Sequence, residues 1–538
     1  MNIASIIPGL GWTESIFGKK KSFYQLAKGK TLAIPMDMHK ANRYKVCDIM
    51  KSKGKDGIIL LKGGEDSTMY DTDAEVLFKQ DSWFNYLFGA KESGCYATIE
   101  ISTYKTTLFI PRLSPEYEIW CGKIHPPSYF KDLYDVDEVE YVEDIVAYFN
   151  KVLSKTSSND VKIFLLEGVN SDSGSKAKPA TFENDSIFDN YKDTTSLFHC
   201  LSTARVTKSE HEISTMRYCA LVASNAHVEV MRTAKEGMYE YELEAKFLYE
   251  IYRNGGCRRA AYNSICACGP NGAILHYGHA NAPNDRKLSI SDMALLDMGA
   301  EYHGYVSDIT CSFPIAGTFT EDQKIIYQSV LNAQRAVLEL MKPGVEWPQC
   351  HIAAEKEILK GLANAGILIN GTVENFVESN LGATFFPHGL GHLIGCDTHD
   401  VGGYIEGTPA RSSRPGLNKL RTARVLEEGM VLTNEPGCYF IGALLDKAID
   451  NPTTSKYINV EVLERFRCFG GVRLEDVVRV TSTGVENLTL CPRSIEEIES
   501  VMAGGEWPPS IDTLPALKRK WCKLSDDGTI QDIVIAKY

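Results

Sequence analysis

Residues 295–308 read LLDMGAEYHGYVSD, and they place a carboxylate at the end of an apolar run, Met293-Ala294-Leu295-Leu296-Asp297. A second follows eleven residues later in the strand-like segment Val306-Ser307-Asp308-Ile309-Thr310-Cys311. Aspartate is a poor strand former and costs free energy when it is buried without a partner. A chain with this pattern must therefore bring positive charge to an interior site. Gly299 and Gly304 predict a turn between the two segments, so a hairpin would set Asp297 and Asp308 side by side. Two adjacent carboxylates repel, and one must hold a proton unless a divalent cation binds both.

The same oddity recurs three times downstream. Phe385-Phe386-Pro387-His388-Gly389-Leu390-Gly391-His392 sets two imidazoles in an apolar, glycine-rich segment, followed by His399-Asp400-Val401-Gly402-Gly403. Met430-Val431-Leu432-Thr433-Asn434-Glu435 ends a strand-like run on glutamate, and Val472-Arg473-Leu474-Glu475-Asp476-Val477-Val478 holds Glu475 inside another. The spacing of His388 and His392 matches a zinc-protease helix, but Gly389 stands where that motif needs glutamate and the glycines disfavour helix. Singly, each residue is compatible with an ordinary hydrogen-bonded interior group. Together, two Asp, two Glu and one His supply four negative charges and a neutral nitrogen, which balances two divalent cations. Oxygen-rich donors with one imidazole favour manganese, cobalt, iron or magnesium over a thiolate zinc site, and a metal pair is a hydrolytic device.

Composition excludes other classes. The net charge of -13 is unsuited to a nucleic-acid binder, and the short basic runs Lys19-Lys20-Lys21 and Lys518-Arg519-Lys520 are expected on the solvated surface. No apolar run approaches membrane-spanning length, and the N-terminus does not follow the secretory-leader pattern. Fifteen cysteines without CxxC pairs imply reduced thiols and a cytoplasmic location. A chain of 538 residues exceeds what one core normally supports. Residues 95–112 predict a hairpin, residues 161–166 a buried strand and residues 170–175 a loop, all within an α/β domain. A capping box at Ser209-Glu210-His211-Glu212 opens a second domain near residue 205, with helices expected over 235–253, 321–341 and 348–365. The last thirty-five residues read as an irregular tail.

The stretches ILHYGHANAPNDR, LLDMGAEYHGYVSDITCSFP, PHGLGHLIGCDTHDVGGY, LRTARVLEEGMVLTNEPGCYF and FGGVRLEDVV resemble, in order and spacing, the prolidases of the pita-bread metallopeptidase family. The resemblance extends from about residue 25 to about 503 and takes in GGEDSTMYDTDAEVLFKQ and GVNSDSGS. It implies an α+β protein: an α/β creatinase-like N-terminal domain over 25–204, then a pita-bread catalytic domain over 205–503. Residues 1–24 form an N-terminal extension and 504–538 a C-terminal tail on this reading. It further implies that Asp297, Asp308, His392, Glu435 and Glu475 hold two divalent metal ions, usually Mn2+, with Glu435 also transferring a proton. His276 and His399 would contact the scissile carbonyl, and Arg473 would stand beside the site. Arg421 would grip the carboxylate of a C-terminal proline, whereas His388 and Tyr262 would line the pocket. Trp120, in IWCGKIH, would reach across a homodimer.

The implied activity is hydrolysis of Xaa-Pro dipeptides. The same fold also hosts Xaa-Pro aminopeptidases, which share all five ligands, and non-catalytic binding proteins. Cys438 departs from the family pattern close to Glu435, which raises thiol oxidation near the metals as a source of inhibition.

Overall fold

The computed structural model describes residues 10–14, 20–154, 161–281 and 283–537. The chain divides into two compact units between Val206 and Thr207, apart from Gly29–Thr31, which group with the second. Residues 1–9 and 15–19 of the expected extension lie outside the described residues; Leu10–Glu14 pairs antiparallel with Lys20–Tyr24.

In the first unit, β1 (Gly57–Lys62), β2 (Tyr96–Glu100), β3 (Thr106–Ile110), β4 (Glu138–Tyr141), β5 (Lys162–Leu165) and β6 (Lys192–Asp193) form one mixed sheet in the order β6-β5-β1-β2-β3-β4. The expected hairpin is β2-β3, antiparallel from Tyr96↔Phe109 to Ile99↔Thr106. Successive residues of β1 are apolar without alternation because both faces are covered. Ile58 and Leu60 enter a core with Phe109, Tyr148, Phe149, Ile163 and Phe188, while Ile59 and Leu61 are buried on the opposite face.

The second unit opens with α1 (Glu210–Thr233), capped by the predicted box in which Ser209 accepts from the Glu212 amide. Helices α2 (Glu240–Gly255), α3 (Glu321–Leu340) and α4 (Trp347–Asn364) follow, with α3 packed on α4. The expected start of α2 at residue 235 moves to 240, because Lys235-Glu236-Gly237 turns there and Gly237 takes a left-handed φ of 88°. One antiparallel sheet joins β7 (Ile265–Cys268), β8 (Met293–Asp297) and β11 (Thr310–Pro314). Between β8 and β11 lies the hairpin β9 (Ala300–Tyr302) to β10 (Tyr305–Val306), turned by His303 and Gly304, both at positive φ. In a second sheet β15 (Asp476–Val480) pairs with β12 (Val431–Asn434) on one side and β16 (Val485–Asn487) on the other; beside it β13 (Gly437–Tyr439) pairs with β14 (Gly471–Arg473).

Three sequence expectations need correcting. Asp308 and Glu475 sit in breaks between strands, not within them: Asp308 falls between β10 and β11, and Glu475 between β14 and β15. The ladder lapses there because Pro436, opposite Leu474, has no N–H to donate, and the Glu475 amide turns to the Thr310 carbonyl at 3.1 Å. The C-terminal segment is not an irregular tail either. Strands Cys522–Leu524 and Ile530–Asp532 pair, and Trp521 packs with Leu490 and Trp507. Arg519, expected in solvent, is buried, with Nη2 2.7 Å from Glu497 Oε1 and 2.5 Å from Asp512 Oδ1. A basic run reads as surface because nothing local shows the two acids that neutralise its middle residue.

Candidate metal centre and active site

The site forms where the two sheets of the second unit end. Asp297 is the last residue of β8 and pairs in register with Thr310. Glu435 and Glu475 lie one residue beyond the final β12-β15 pair, Asn434↔Asp476, so antiparallel pairing sends both glutamates out at the same end. His392 comes from the glycine-rich segment, which runs along β12: the His392 carbonyl accepts from Thr433 N, and the His392 amide donates to Thr433 Oγ1. Gly391 is needed for this approach, since a Cβ there would sit 2.1 Å from the Thr433 carbonyl oxygen.

Asp308, His392 and Glu475 are all buried, and each offers a ligand atom within 4.8 Å of the others. His392 Nε2 lies 3.5 Å from both Asp308 Oδ2 and Glu435 Oε1. Its Nδ1 is 3.0 Å from the Leu393 carbonyl, which fixes the proton on Nδ1 and leaves the Nε2 lone pair facing the carboxylates. Thr310 Oγ1 donates to Glu475 Oε2 at 2.7 Å. Arg473 donates to Asp297 Oδ2 at 2.7 Å, to Thr310 Oγ1 at 3.1 Å and to the Tyr439 hydroxyl at 2.9 Å. The Tyr262 hydroxyl reaches one oxygen of Asp297 and one of Asp308, but it has a single proton to give.

Four carboxylates thus face one guanidinium. Burial, with neighbouring carboxylates as a further cause, pushes Glu435 up to about 7, Asp297 up to about 6 and Glu475 well above the carboxylate range. The donor set is short of positive charge and rich in oxygen, with one correctly oriented imidazole nitrogen. Those are the properties of a divalent cation site.

Around this cluster stand the other predicted residues. His276 and His399 are exposed at the mouth, and the His399 ring meets His392 edge-on at 4.5 Å. Partial burial, followed by Arg473 and Arg421, lowers the His276 imidazole; partial burial, His392 and Arg421 lower His399. Arg421 is half-buried and close enough to act on both. His388 donates from Nδ1 to the Gly389 carbonyl at 2.8 Å, so its Nε2, 2.8 Å from the Tyr439 hydroxyl, accepts from it. Trp120 belongs to the first unit, where it is 78% exposed.

Sequence reasoning missed Tyr439, Thr310 and Arg493. Tyr439 joins Arg473 to His388, but in Cys438-Tyr439-Phe440 it reads as core. Arg493 pairs with Asp476 and donates to the Thr310 and Glu475 carbonyls, bracing the ends of β11 and β15 from a distance in sequence that no spacing rule spans. Cys438 does not face the carboxylate cluster as expected. Side chains alternate along β13, and Tyr439 takes the side toward Arg473, so Cys438 points away, its thiol raised by burial alone.

The model of metallopeptidase family M24 matches residues 214–482, and that of the aminopeptidase P N-terminal domain matches residues 39–162. The chain is 48% identical to the Xaa-Pro dipeptidase of Homo sapiens over 478 residues, 88% of this chain and 95% of that one. It is 36% identical to a probable Xaa-Pro aminopeptidase of Talaromyces marneffei over 474 residues, 86% of this chain and 97% of the other. Among solved structures, the Pseudomonas aeruginosa aminopeptidase PepP superposes with a TM-score of 0.69 at 30% identity, covering 88% of this chain and 98% of that one. The pita-bread catalytic unit, the N-terminal domain in front of it and a relative alike over nearly its whole length converge, and the chain belongs to metallopeptidase family M24.

Proposed function

We propose that this metallopeptidase is an Xaa-Pro dipeptidase, hydrolysing dipeptides that end in proline. The observation that carries the reading is the position of Arg421, beside both mouth imidazoles, one of which, His399, meets His392 edge-on. A proline-terminated dipeptide needs its carbonyl at the metal centre and its free carboxylate a residue's length away, and a guanidinium fork suits that carboxylate. Asp297, Asp308, His392, Glu435 and Glu475 would hold two divalent ions, which we take to be Mn2+. Ions bound there lower the pKa of water and polarise the scissile carbonyl.

The protein's own groups do the rest. His276 and His399 hydrogen-bond the carbonyl oxygen as it gains charge. Glu435, half-buried at the mouth, takes a proton from the attacking water and passes it to the proline nitrogen, which must be protonated to leave. Arg473 holds Asp297 and Tyr439 in place, and Tyr439 in turn holds His388. Xaa-Pro bonds lack the N–H that general peptidases recognise, so a site gripping carbonyl and carboxylate replaces that contact.

The assembly is a homodimer in which the Trp120 segment of one copy closes the pocket of the other; the exposure of Trp120 and Ile119 supports this. The described cysteines form no disulfide with one another, which suits a reducing cytoplasm, and among the described residues no helix is long and apolar enough to cross a membrane. An Xaa-Pro aminopeptidase is the second reading, favoured by the likeness to PepP. The full set of carboxylates disfavours a non-catalytic binding role. Proline release from Gly-Pro, and cleavage of a Gly-Pro-extended tripeptide, would be measured on protein stripped of metal and then given manganese. Manganese-dependent turnover of the dipeptide alone supports the dipeptidase; efficient tripeptide cleavage transfers the chain to the aminopeptidases, and silence on both overturns an enzymatic role.

A further inference from the structure

A buried ion pair lies behind the active site. Lys208 Nζ is 3.0 Å from Asp400 Oδ2, and both side chains are 1% exposed. Ion pairs this deep seldom add net stability over apolar packing, and their best-attested use is to fix one arrangement among several. What this pair fixes follows from its anchors. Lys208 is held at the start of β12, its amide donating to the Gly429 carbonyl and Thr207 bridging to Met430. Asp400 closes the loop 393–400, its amide donating to the Leu393 carbonyl at 2.8 Å. His392 immediately precedes that loop, and His399 is its penultimate residue.

The loop is also tied to the aspartate side of the site. The Gly395 carbonyl accepts from Val306 N at 3.0 Å, two residues before Asp308. A Cβ at Gly395 would fall 2.4 Å from Asp400 Oδ2 and 2.8 Å from Lys208 Cε, so the loop backbone rests directly on the ion pair. His399 itself is exposed, and among the described residues the ring contact that orients it is its edge contact with His392. We propose that Lys208 and Asp400 are positioning residues: their ion pair sets the height of the 393–400 loop and thereby aims the His399 imidazole at the substrate carbonyl. This rests on the role given to His399 above.

The pair is removed without stranding a charge in Lys208→Met/Asp400→Asn, made in the native background and in His399→Ala, with melting temperature and bound manganese recorded for each. Because a misplacement of about 1 Å can cost about a hundredfold, kcat on Gly-Pro is expected to fall roughly 10- to 100-fold in the native background, with KM and metal content held. In His399→Ala the same double change should cost less than about twofold, since its route of action is gone. Lys208→Gln/Asp400→Asn, which likewise strands no charge and keeps the side-chain shape at 400 and the Val401 amide bond, should show the same kcat loss in smaller degree, and it serves if the first double variant does not fold. Equal losses in both backgrounds, or a lowered melting temperature with kcat intact, would overturn the positioning role while leaving His399 in place. An unimpaired His399→Ala enzyme would overturn the reading of the site itself, and the positioning role with it.

Discussion

Glu435→Gln should stabilise the metal-free protein. Burial first, and then its carboxylate neighbours, raise the glutamate from an ordinary 4.5 to about 7 in the folded state. A carboxyl with a raised folded pKa favours folding below its unfolded value, and that contribution disappears as pH climbs through the folded value. Between pH 4.5 and 8 the native chain therefore loses stability at this group. Each pK unit is about 1.4 kcal/mol, so the loss is on the order of 3 kcal/mol. Glutamine imitates the protonated form and escapes it. Urea denaturation of both metal-stripped proteins would show the variant more stable by roughly that amount at pH 8, with the gap closing toward pH 5. Taking the difference removes His39 and His351, whose burial lowers them and whose titration is common to both proteins. Manganese should reverse the order at pH 8, because it rewards only the native carboxylate. A variant that is no more stable at pH 8, or whose advantage does not depend on pH, would refute the claim that the cluster is starved of positive charge.

Other perturbations separate the parts of the site. Glu475→Gln should abolish manganese-dependent turnover and reduce bound metal measured after dialysis, since a neutral amide cannot replace a buried anionic donor beside Asp308 and His392. Arg421→Ala should lower kcat/KM on Gly-Pro by about 10- to 100-fold, the worth of a charge-assisted fork of roughly 1.5–3 kcal/mol, while a C-terminally amidated substrate changes little. Equal effects on both substrates would remove Arg421 from the carboxylate. Arg519→Ala should destabilise the second unit by about 3–5 kcal/mol in denaturant titration, because it leaves Glu497 and Asp512 buried without their counter-charge. Its kcat should be unchanged in the folded fraction.

Much of the site is written in the chain as contradictions of local preference. Carboxylates and imidazoles set among valine, leucine and glycine are costly wherever the chain goes, so Asp297, Asp308, His392, Glu435 and Glu475 mark themselves as needing a common partner. Helix caps and hairpin signals are equally local, and Ser209-Glu210-His211-Glu212 and residues 95–112 form as their spacing dictates.

Groups whose meaning depends on a distant partner give no such signal. Tyr439 is an ordinary aromatic until Arg473 and His388 close on its hydroxyl. Arg519 is an ordinary surface cation until Glu497 and Asp512 surround it. Lys208 and Asp400 stand 192 residues apart, and only the folded chain makes them a pair. Strand breaks at Asp308 and Glu475 were decided the same way, by ladders that end where the two sheets meet. The sequence by itself thus determined the family, the architecture and the chemistry of the donors, because burial cost and backbone preference are local properties. Tertiary structure alone decided which side chains orient those donors, because an ion pair or a shared hydroxyl proton exists only once the fold has brought its two ends within a few ångströms.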